Sequence, residues 1–509
     1  MAIHLFNSAV NWMLKRRMEE VEYFMQNPLE VQERTFQQLI KSAKDTEWGR
    51  KYNYRNIRNG EDFKRDVPVS TYEELYPYIE RLMQGEQNLL WPTKINCFSK
   101  SSGTTNARSK FIPVSGEALE ETHYKAGKAM FAIYVNRYPE TKFSIGKSLG
   151  IGGSYQQNHL NDETYYGDVS ALIMKNLPFW AELMRAPSIE IALMDEWESK
   201  IEKIARTTIN ENITSLAGVP TWTLVLLQRI LDITGKNSIA EVWPGLEVFF
   251  HGAVAFGPYR DSFQKLIQHP DMHYMEVYNA SEGYFGIQDT NVADEMLLLL
   301  DYGVYYEFIP MDEWGKENPK VIDLGDVEVG KNYAMIISTN AGLWRYHIGD
   351  TVRFTSTSPY RIKITGRTKH FINAFGEELV IENAEEAITA ACQVTGALVN
   401  NFSAAPIYLE AGKQGGHEWV VEFEHSPENM DIFVNVLDSK LREINSDYDA
   451  KRYKDIALIK PIIHNAPKGT FYEWMKRKGK LGGQHKVPRL ANNREHIDSL
   501  IEVMNSVKI

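Results

Sequence analysis

Between Phe98 and Lys110 the chain reads Phe-Ser-Lys-Ser-Ser-Gly-Thr-Thr-Asn-Ala-Arg-Ser-Lys, a cluster of hydroxyls, one glycine and three cations between two apolar runs. Backbone amides and hydroxyls on a tight Gly turn can all aim donors at one point, which makes an oxyanion cradle. Lysine and arginine add charge that a polyphosphate would neutralise. The chemistry this suggests is the grip of Ser101, Ser102, Gly103, Thr104, Thr105 and Lys110 on the phosphates of a nucleotide. The same residues would also make a solvated Ser/Thr-rich turn, so the rest of the chain has to decide.

Other glycine-rich matches carry less. Gly146-Lys147-Ser148-Leu149-Gly150 fits the Gly-x-Ser-x-Gly elbow of serine hydrolases, but that elbow needs a helix straight after the serine. Gly150, Gly152 and Gly153 follow instead, and they are poor helix sequence. The same stretch ends like a P-loop but has Thr141 where the first glycine belongs. Gly150-Ile151-Gly152-Gly153-Ser154-Tyr155 begins like a dinucleotide fingerprint and fails at its last position. The 13 histidines show no pair at helical ligand spacing in an acidic setting, which argues against a catalytic zinc.

Bulk properties narrow the class. A chain of 509 residues exceeds one hydrophobic core, so two or three domains are expected. A formal net charge of −11 with no long basic stripe argues against nucleic-acid binding, while leaving room for a local cationic site. Two cysteines far apart, Cys97 and Cys392, form no metal spacing or disulfide framework; this suits a reducing cytosol and a cytoplasmic protein. No run of about 18 apolar residues predicts a membrane span. Met1 to Leu14 is moderately apolar and precedes Lys15-Arg16-Arg17, the reverse of a signal peptide's order, so a packed or surface-lying helix is expected. The sequence does not set the oligomeric state; a monomer is compatible with it.

The elements that must position the loop follow an α/β grammar. The first 90 residues read as helical, with a start at Asn27-Pro28, apolar Phe36, Leu39, Ile40 and Ala43 at helical spacing, and an extended Val67–Thr71 capping a helix from Tyr72. Strands are predicted at Ile213–Ala217, Leu246–Phe250 and Tyr274–Tyr278. Each ends in a polar or glycine-containing loop, and a helix over Thr221–Leu231 follows the first. Ligands of such folds sit at the carboxyl ends of strands. After Met296 the pattern turns antiparallel: Met296–Leu300 and Val304–Ile309 flank Asp301-Tyr302-Gly303, a three-residue hairpin signal. Tyr333–Thr339, Thr351–Phe354 and Arg361–Thr365 continue it. Gly366-Arg367-Thr368-Lys369 is the best domain boundary. Beyond it, helices Ile381–Ala391 and Asn429–Ile444 alternate with strands Trp419–Phe423 and Ile456–Ile463 in a compact α+β unit. The fold class is therefore α/β, with a large domain over 1–365 and a small one over 366–509. The large domain carries parallel or mixed sheets, helices and a β-barrel-like part.

In order along the chain come the loop at 98–110, Gly252-Ala253 after a strand, Tyr278-Asn279-Ala280-Ser281-Glu282, Arg345-Tyr346-His347-Ile348-Gly349-Asp350, and Gly366-Arg367. This order resembles the adenylate-forming superfamily of acyl-CoA synthetases, peptide-synthetase adenylation domains and luciferases. It is most similar to the Gretchen Hagen family of acyl acid amido synthetases, known from auxin-responsive plant enzymes and also found in bacteria. The resemblance runs from the helical start through Lys486-Val487-Pro488-Arg489. The chain departs from it at Asn106-Ala107, where a further glycine or serine is common; Asn tolerates left-handed backbone, so a turn survives.

The resemblance implies an ATP- and Mg²⁺-dependent ligase that joins a small carboxylic acid to an amine, with an amino acid as the expected acceptor. Two anions must meet at the α-phosphorus, so donors and cations that gather charge lower the barrier. The loop Ser101 to Lys110 would hold the β- and γ-phosphates. Glu282 would hold Mg²⁺, a metal that favours hard oxygen ligands and bridges phosphates, or else be a solvated turn carboxylate. Tyr278 offers a flat face for adenine, or is a core strand residue, with Ala280 and Ser281 beside it; Gly252 and Ala253 let backbone approach the other side. Asp350 would accept both ribose hydroxyls, or be a turn aspartate, and Arg367 would reach ribose or phosphate, or cap the hinge. The glycine-flanked loop Gly482 to Arg489 resembles the family's C-terminal lysine loop. It implies that Lys486 reaches the α-phosphate or the activated carboxylate, with a surface lysine as the alternative. An acyl pocket is expected at Val219, Pro220 and Trp222, although Trp222 could equally be helix core. Rival functions are coenzyme A as acceptor, a non-catalytic adenylate-binding protein, and a Ser148 hydrolase. Neither the acid nor the acceptor is legible.

Overall fold

The computed structural model describes residues 2–101, 110–153, 155–158, 161–177, 182–194, 196–254, 256–293, 295–368, 371–377, 379–409, 414–452, 457–478 and 487–506. The chain up to Met83 is largely helical, as its periodicity predicts. Helix Ala2–Gln26 packs rather than floats: Val21 and Phe24 are buried, and Phe24 meets Tyr302 edge to face at 6.1 Å. Helix Pro28–Ala43 starts with proline at its first turn, where the missing N–H is no loss, and buries Val31, Phe36, Leu39, Ile40 and Ala43 on one face. Helix Tyr72–Met83 opens with the Glu74 carboxylate accepting from the Thr71 N–H at 2.7 Å.

Four strands make a small sheet in the order β2-β1-β5-β4: β1 (Cys97–Ser101), β2 (Lys110–Val114), β4 (Tyr155–Gln157) and β5 (Tyr165–Gly167). Twelve described strands make the main sheet. Its parallel half comprises β3 (Lys147–Gly150), β6 (Arg185–Ala186), β7 (Ile213–Gly218), β8 (Val248–His251) and β9 (His273–Ala280). Its antiparallel half comprises β10 (Gly283–Ile287), β11 (Met296–Leu298), β12 (Val304–Pro310), β13 (Ile322–Asp323), β14 (Asn332–Thr339), β15 (Tyr346–Thr357) and β16 (Tyr360–Arg367). The order β13-β12-β14-β15-β16-β11-β10-β9-β8-β7-β3-β6 makes β9 the junction between the two halves. The smaller carboxyl-terminal part holds the pair β17 (Phe371–Ile372) and β18 (Leu379–Val380) and a three-stranded sheet of β19 (Leu398–Ile407), β20 (Gly416–His425) and β21 (Ile462–Ala466). Helices Ile381–Thr395 and Met430–Ile444 pack against each other there. Among the described residues no helix is long and apolar enough to cross a membrane.

Two expectations are corrected. The segments flanking Asp301-Tyr302-Gly303 do not pair as a hairpin: β11 pairs with β10 and β16, and β12 with β13 and β14. The side chain of Gln32 takes the place of the hairpin bonds. Its amide donates to the carbonyls of Leu300 (2.7 Å) and Val304 (3.0 Å), and its oxygen accepts from the Tyr306 N–H (3.0 Å). The strand expected at Ile456–Ile463 lies at Ile462–Ala466 instead, with residues 453–456 outside the described set. Pro461 cannot donate to a ladder, so before it only an isolated Leu458–Gly415 bridge forms and continuous pairing with β20 begins at Ile462.

Two large apolar clusters hold the chain. One joins the amino-terminal helices to the antiparallel half; the other joins Leu227, Phe249, Phe256 and Phe263 of the parallel half to Phe375, Trp419 and Leu437 of the carboxyl-terminal part. The Tyr259 hydroxyl also donates to the Ala374 carbonyl at 2.5 Å, so the two parts are docked by buried contacts on both sides of residue 366.

Candidate active site

The site gathers around the junction strand. β9 and β10 form a tight hairpin in which Ala280 pairs with Gly283, so Ser281 and Glu282 occupy the turn at the carboxyl end of β9. The Ser281 hydroxyl meets that of buried Ser99, on β1, at 2.9 Å, which ties the turn to the sheet carrying the proposed phosphate loop. Ser101 and Lys110 are paired across β1 and β2, so the loop springs from a fixed hairpin stem. Ser102, Gly103, Thr104 and Thr105 lie outside the described residues.

Four charged groups, Asp350, Arg367, Glu282 and Lys110, converge on the same end. Asp350 and Arg367 face each other across β15 and β16, and the Arg367 Nε donates to the Asp350 carboxylate at 2.7 Å. The other Asp350 oxygen accepts from the Tyr278 hydroxyl. Burial pushes the Glu282 carboxyl up to about 7; Lys110 and Arg367 pull against that, and the charge of Asp350 adds to it. No side-chain hydrogen bond to Glu282 occurs among the described residues. A half-buried carboxyl close to a second carboxylate is a site that a divalent cation would neutralise, and oxygen is the ligand Mg²⁺ takes. Glu282 thus fits as a residue that would hold Mg²⁺. Among the described residues no group of three or more His, Cys, Asp or Glu side chains forms a complete cage.

Tyr278 is 6% exposed, packs edge to face on Phe285 at 5.0 Å and spends its hydroxyl on Asp350. Little of its ring stays open as an adenine platform; what it does here is hold Asp350. Both Asp350 oxygens already accept one bond, and each keeps a further lone pair for a ribose hydroxyl. Gly252 is a glycine because β9 passes close: a Cβ there would sit 2.4 Å from the Val277 carbonyl oxygen. Ala253, exposed at the carboxyl end of β8, has φ +71°, a left-handed backbone of the kind that clusters at ligand sites. His251 beside it is buried and stacked on Phe256 at 3.9 Å; burial and the charge of Arg260 push it down to about 3, so it is neutral.

Val219 and Pro220 stand at the carboxyl end of β7, where helix Pro220–Thr234 starts one residue before the expected Thr221. Val219 packs on the second core, and Trp222 is half-buried beneath the Lys451 ammonium, 4.7 Å from its ring centroid. Ser148 is a mid-strand residue, paired with Arg185 and Ser215, with no strand-to-helix turn after it, so the hydrolase elbow is absent. Lys486 and His485 lie outside the described residues. Sequence reasoning missed Tyr72, Tyr346, Ser99 and Lys451 as neighbours of the site. Tyr346 and Ser99 stood inside quoted motifs, whereas nothing at Tyr72 or Lys451 signalled their positions.

This architecture, with its small carboxyl-terminal part, is a fold shared with solved ligases. It superposes on the AtGH3.15 acyl acid amido synthetase in complex with 2,4-DB with a TM-score of 0.63 at 18% identity, covering 96% of each chain. On 2-hydroxyisobutyryl-CoA ligase with 2-HIB-AMP and CoA the TM-score is 0.54 at 13% identity, over 98% of this chain and 93% of the other. The chain belongs to the GH3 family: residues 17–272 match the GH3 family N-terminal domain, 297–367 the central domain and 382–495 the C-terminal domain. It is 22% identical to the indole-3-acetic acid-amido synthetase GH3.3 of Arabidopsis thaliana, over 92% of this chain and 90% of that protein. It is 24% identical to the jasmonoyl–L-amino acid synthetase JAR4 of Nicotiana attenuata, over 93% and 92%.

Proposed function

We propose that this protein is an ATP-dependent acyl acid amido synthetase. A carboxylate oxygen of the acid attacks the α-phosphorus of ATP, the bond to pyrophosphate breaks, and an acyl-adenylate forms. The amine of an amino acid then attacks the acyl carbon and AMP leaves. What carries the reading is the convergence of Glu282, Asp350, Arg367 and Lys110 at the carboxyl end of β9, in a chain whose relatives bear amido synthetase names.

Lys110 and the loop it closes bind the β- and γ-phosphates, and their charge draws electron density toward the leaving pyrophosphate. Asp350, oriented by Tyr278 and Arg367, accepts the ribose hydroxyls. The backbone at Gly252-Ala253 borders the adenine, beside Tyr278, Ala280 and Ser281. Glu282 would hold Mg²⁺, and bound there the metal would supply Lewis-acid polarisation of the phosphates. The acid lies against Val219, Pro220 and Trp222. Residues 366–509 form a mobile small domain, hinged at Gly366-Arg367, that brings Lys486 to the α-phosphate. The enzyme is cytoplasmic.

The test is isotope exchange between pyrophosphate and ATP over a panel of carboxylic acids, followed by mass spectrometry of products with amino acids or coenzyme A as acceptor. Acid-dependent exchange and an amide product are expected. Background exchange with every acid, together with no ATP binding, overturns the reading. A thioester in place of the amide moves the protein to the coenzyme A ligases.

A further inference from the structure

We propose that the ring of Tyr72 and the hydroxyl of Tyr346 form a cage that positions the Lys110 ammonium for the nucleotide phosphates, so that a helix outside every motif loop builds part of the active site. This rests on the reading of Lys110 as a phosphate ligand. Lys110 is the last residue of that loop and carries its charge on a flexible four-carbon stem, so something rigid has to hold it. Its Nζ lies 5.3 Å from the ring centroid of Tyr72, 6.0 Å from that of Tyr346, and 3.4 Å from the Tyr346 hydroxyl. The Tyr72 distance falls within the reach of cation–π attraction, which strengthens when the partners are dry, whereas Tyr346 meets the ammonium with its hydroxyl, which accepts from it. Tyr72 is 9% exposed and Tyr346 fully buried.

Both rings are anchored independently of the lysine. The Tyr72 hydroxyl accepts from the Phe111 N–H at 2.8 Å, so the ring is bonded to the residue next to Lys110 and the two move together. Tyr346 lies on β15 where Ser70 pairs with it: the Ser70 N–H donates to the Arg345 carbonyl at 2.8 Å, and the His347 N–H to the Ser70 carbonyl at 2.9 Å. Arg345 in turn is buried, bonded through Nε to Glu307 at 2.9 Å and through Nη1 to the carbonyls of Lys64 (3.1 Å) and Val67 (2.5 Å). The segment Val67–Tyr72 is thereby clamped along β15, which sets Tyr72 opposite Tyr346 with the ammonium between them. The charge of Glu282 acts on Tyr346 and is itself offset by Lys110, which places all three in one cluster.

The experiment measures pyrophosphate exchange on full-length protein, with kcat/KM for ATP and KM for the acid determined separately. Tyr72→Leu should lower kcat/KM for ATP about tenfold and leave the acid KM within about twofold, whereas Tyr72→Phe, which keeps the ring face, should stay within about threefold of the parent. In a Lys110→Met background Tyr72→Leu should add less than about twofold, because the interaction it removes is already gone. An unchanged kcat/KM in Tyr72→Leu, or an equal loss with and without Lys110, overturns the cage. If Tyr72→Leu does not fold, Tyr346→Phe in the same cycle decides: it removes only the hydroxyl facing Lys110, and its loss of about threefold should vanish in Lys110→Met. Lys110→Met also separates the two ideas. If it leaves exchange unchanged, the phosphate reading fails; if it impairs exchange while the tyrosine variants do not, only the cage fails.

Discussion

Glu282→Gln should weaken catalysis and strengthen the fold at once, with opposite dependences that one variant can expose. In the unfolded chain this carboxyl titrates at its ordinary 4.5, while burial in the fold holds its proton up to about 7. Between those values the folded protein binds more protons than the unfolded one. Stability therefore falls as pH rises through that window, and the full penalty stands above about pH 7. At about 1.4 kcal/mol per unit, ionised Glu282 costs the nucleotide-free protein up to about 3 kcal/mol at pH 8, and almost nothing near pH 4. Glutamine keeps the shape and removes the charge, so thermal melts of the nucleotide-free variant should rise at pH 8 by roughly 4 °C for a unit of this size, and converge with the parent at low pH. Adding Mg²⁺ with ATP should stabilise the parent more than the variant, since the metal neutralises the charge that glutamine lacks. Turnover at limiting Mg²⁺ should fall by about 10²-fold or more. A melting difference that does not change with pH, or unchanged turnover at limiting Mg²⁺, would return Glu282 to the class of solvated turn residues.

Gly252→Ala pushes a methyl to 2.4 Å from the Val277 carbonyl oxygen and must part β8 from β9; a destabilisation of about 1–3 kcal/mol in urea titrations and a loss of ATP-dependent exchange are expected. Arg345→Met leaves Glu307 charged and buried and unclamps Val67, at about 3–5 kcal/mol, and Arg345→Met with Glu307→Leu should recover most of it; no recovery would mean the pair is not what holds the segment. Thr368→Pro removes the N–H that bonds the Gly349 carbonyl at 2.9 Å, just where the small domain is proposed to hinge. Single-turnover kinetics should show one half-reaction slowed more than the other, and equal slowing of both would count against domain alternation.

Local patterns were legible where chemistry is local. Pro28, Pro220 and the Thr71–Glu74 pair announced helix starts, and the strands expected at Ile213–Ala217, Leu246–Phe250 and Tyr274–Tyr278 stood out because each apolar run ends in a polar or glycine-containing loop. The ordered motifs pointed to Glu282, Asp350 and Arg367, because a nucleotide site needs a carboxylate, an acceptor and a cation whatever fold presents them. The hairpin at Asp301-Tyr302-Gly303 misled because its turn residues are right while the bonds went to Gln32, nearly 270 positions earlier, and a long-range competitor leaves no trace in a local window. The strand near Ile462 was displaced by Pro461, a signal that was present but outweighed by the apolar run. Residue types and their order along the chain therefore pointed to the class of chemistry, and the structure brings Glu282, Asp350 and Arg367 together at one strand end. Only the tertiary structure decided that Tyr278 holds Asp350, that Tyr72 and Tyr346 flank Lys110, and that Lys451 covers Trp222. Those contacts join positions whose spacing in sequence is arbitrary, and packing alone brings them within reach.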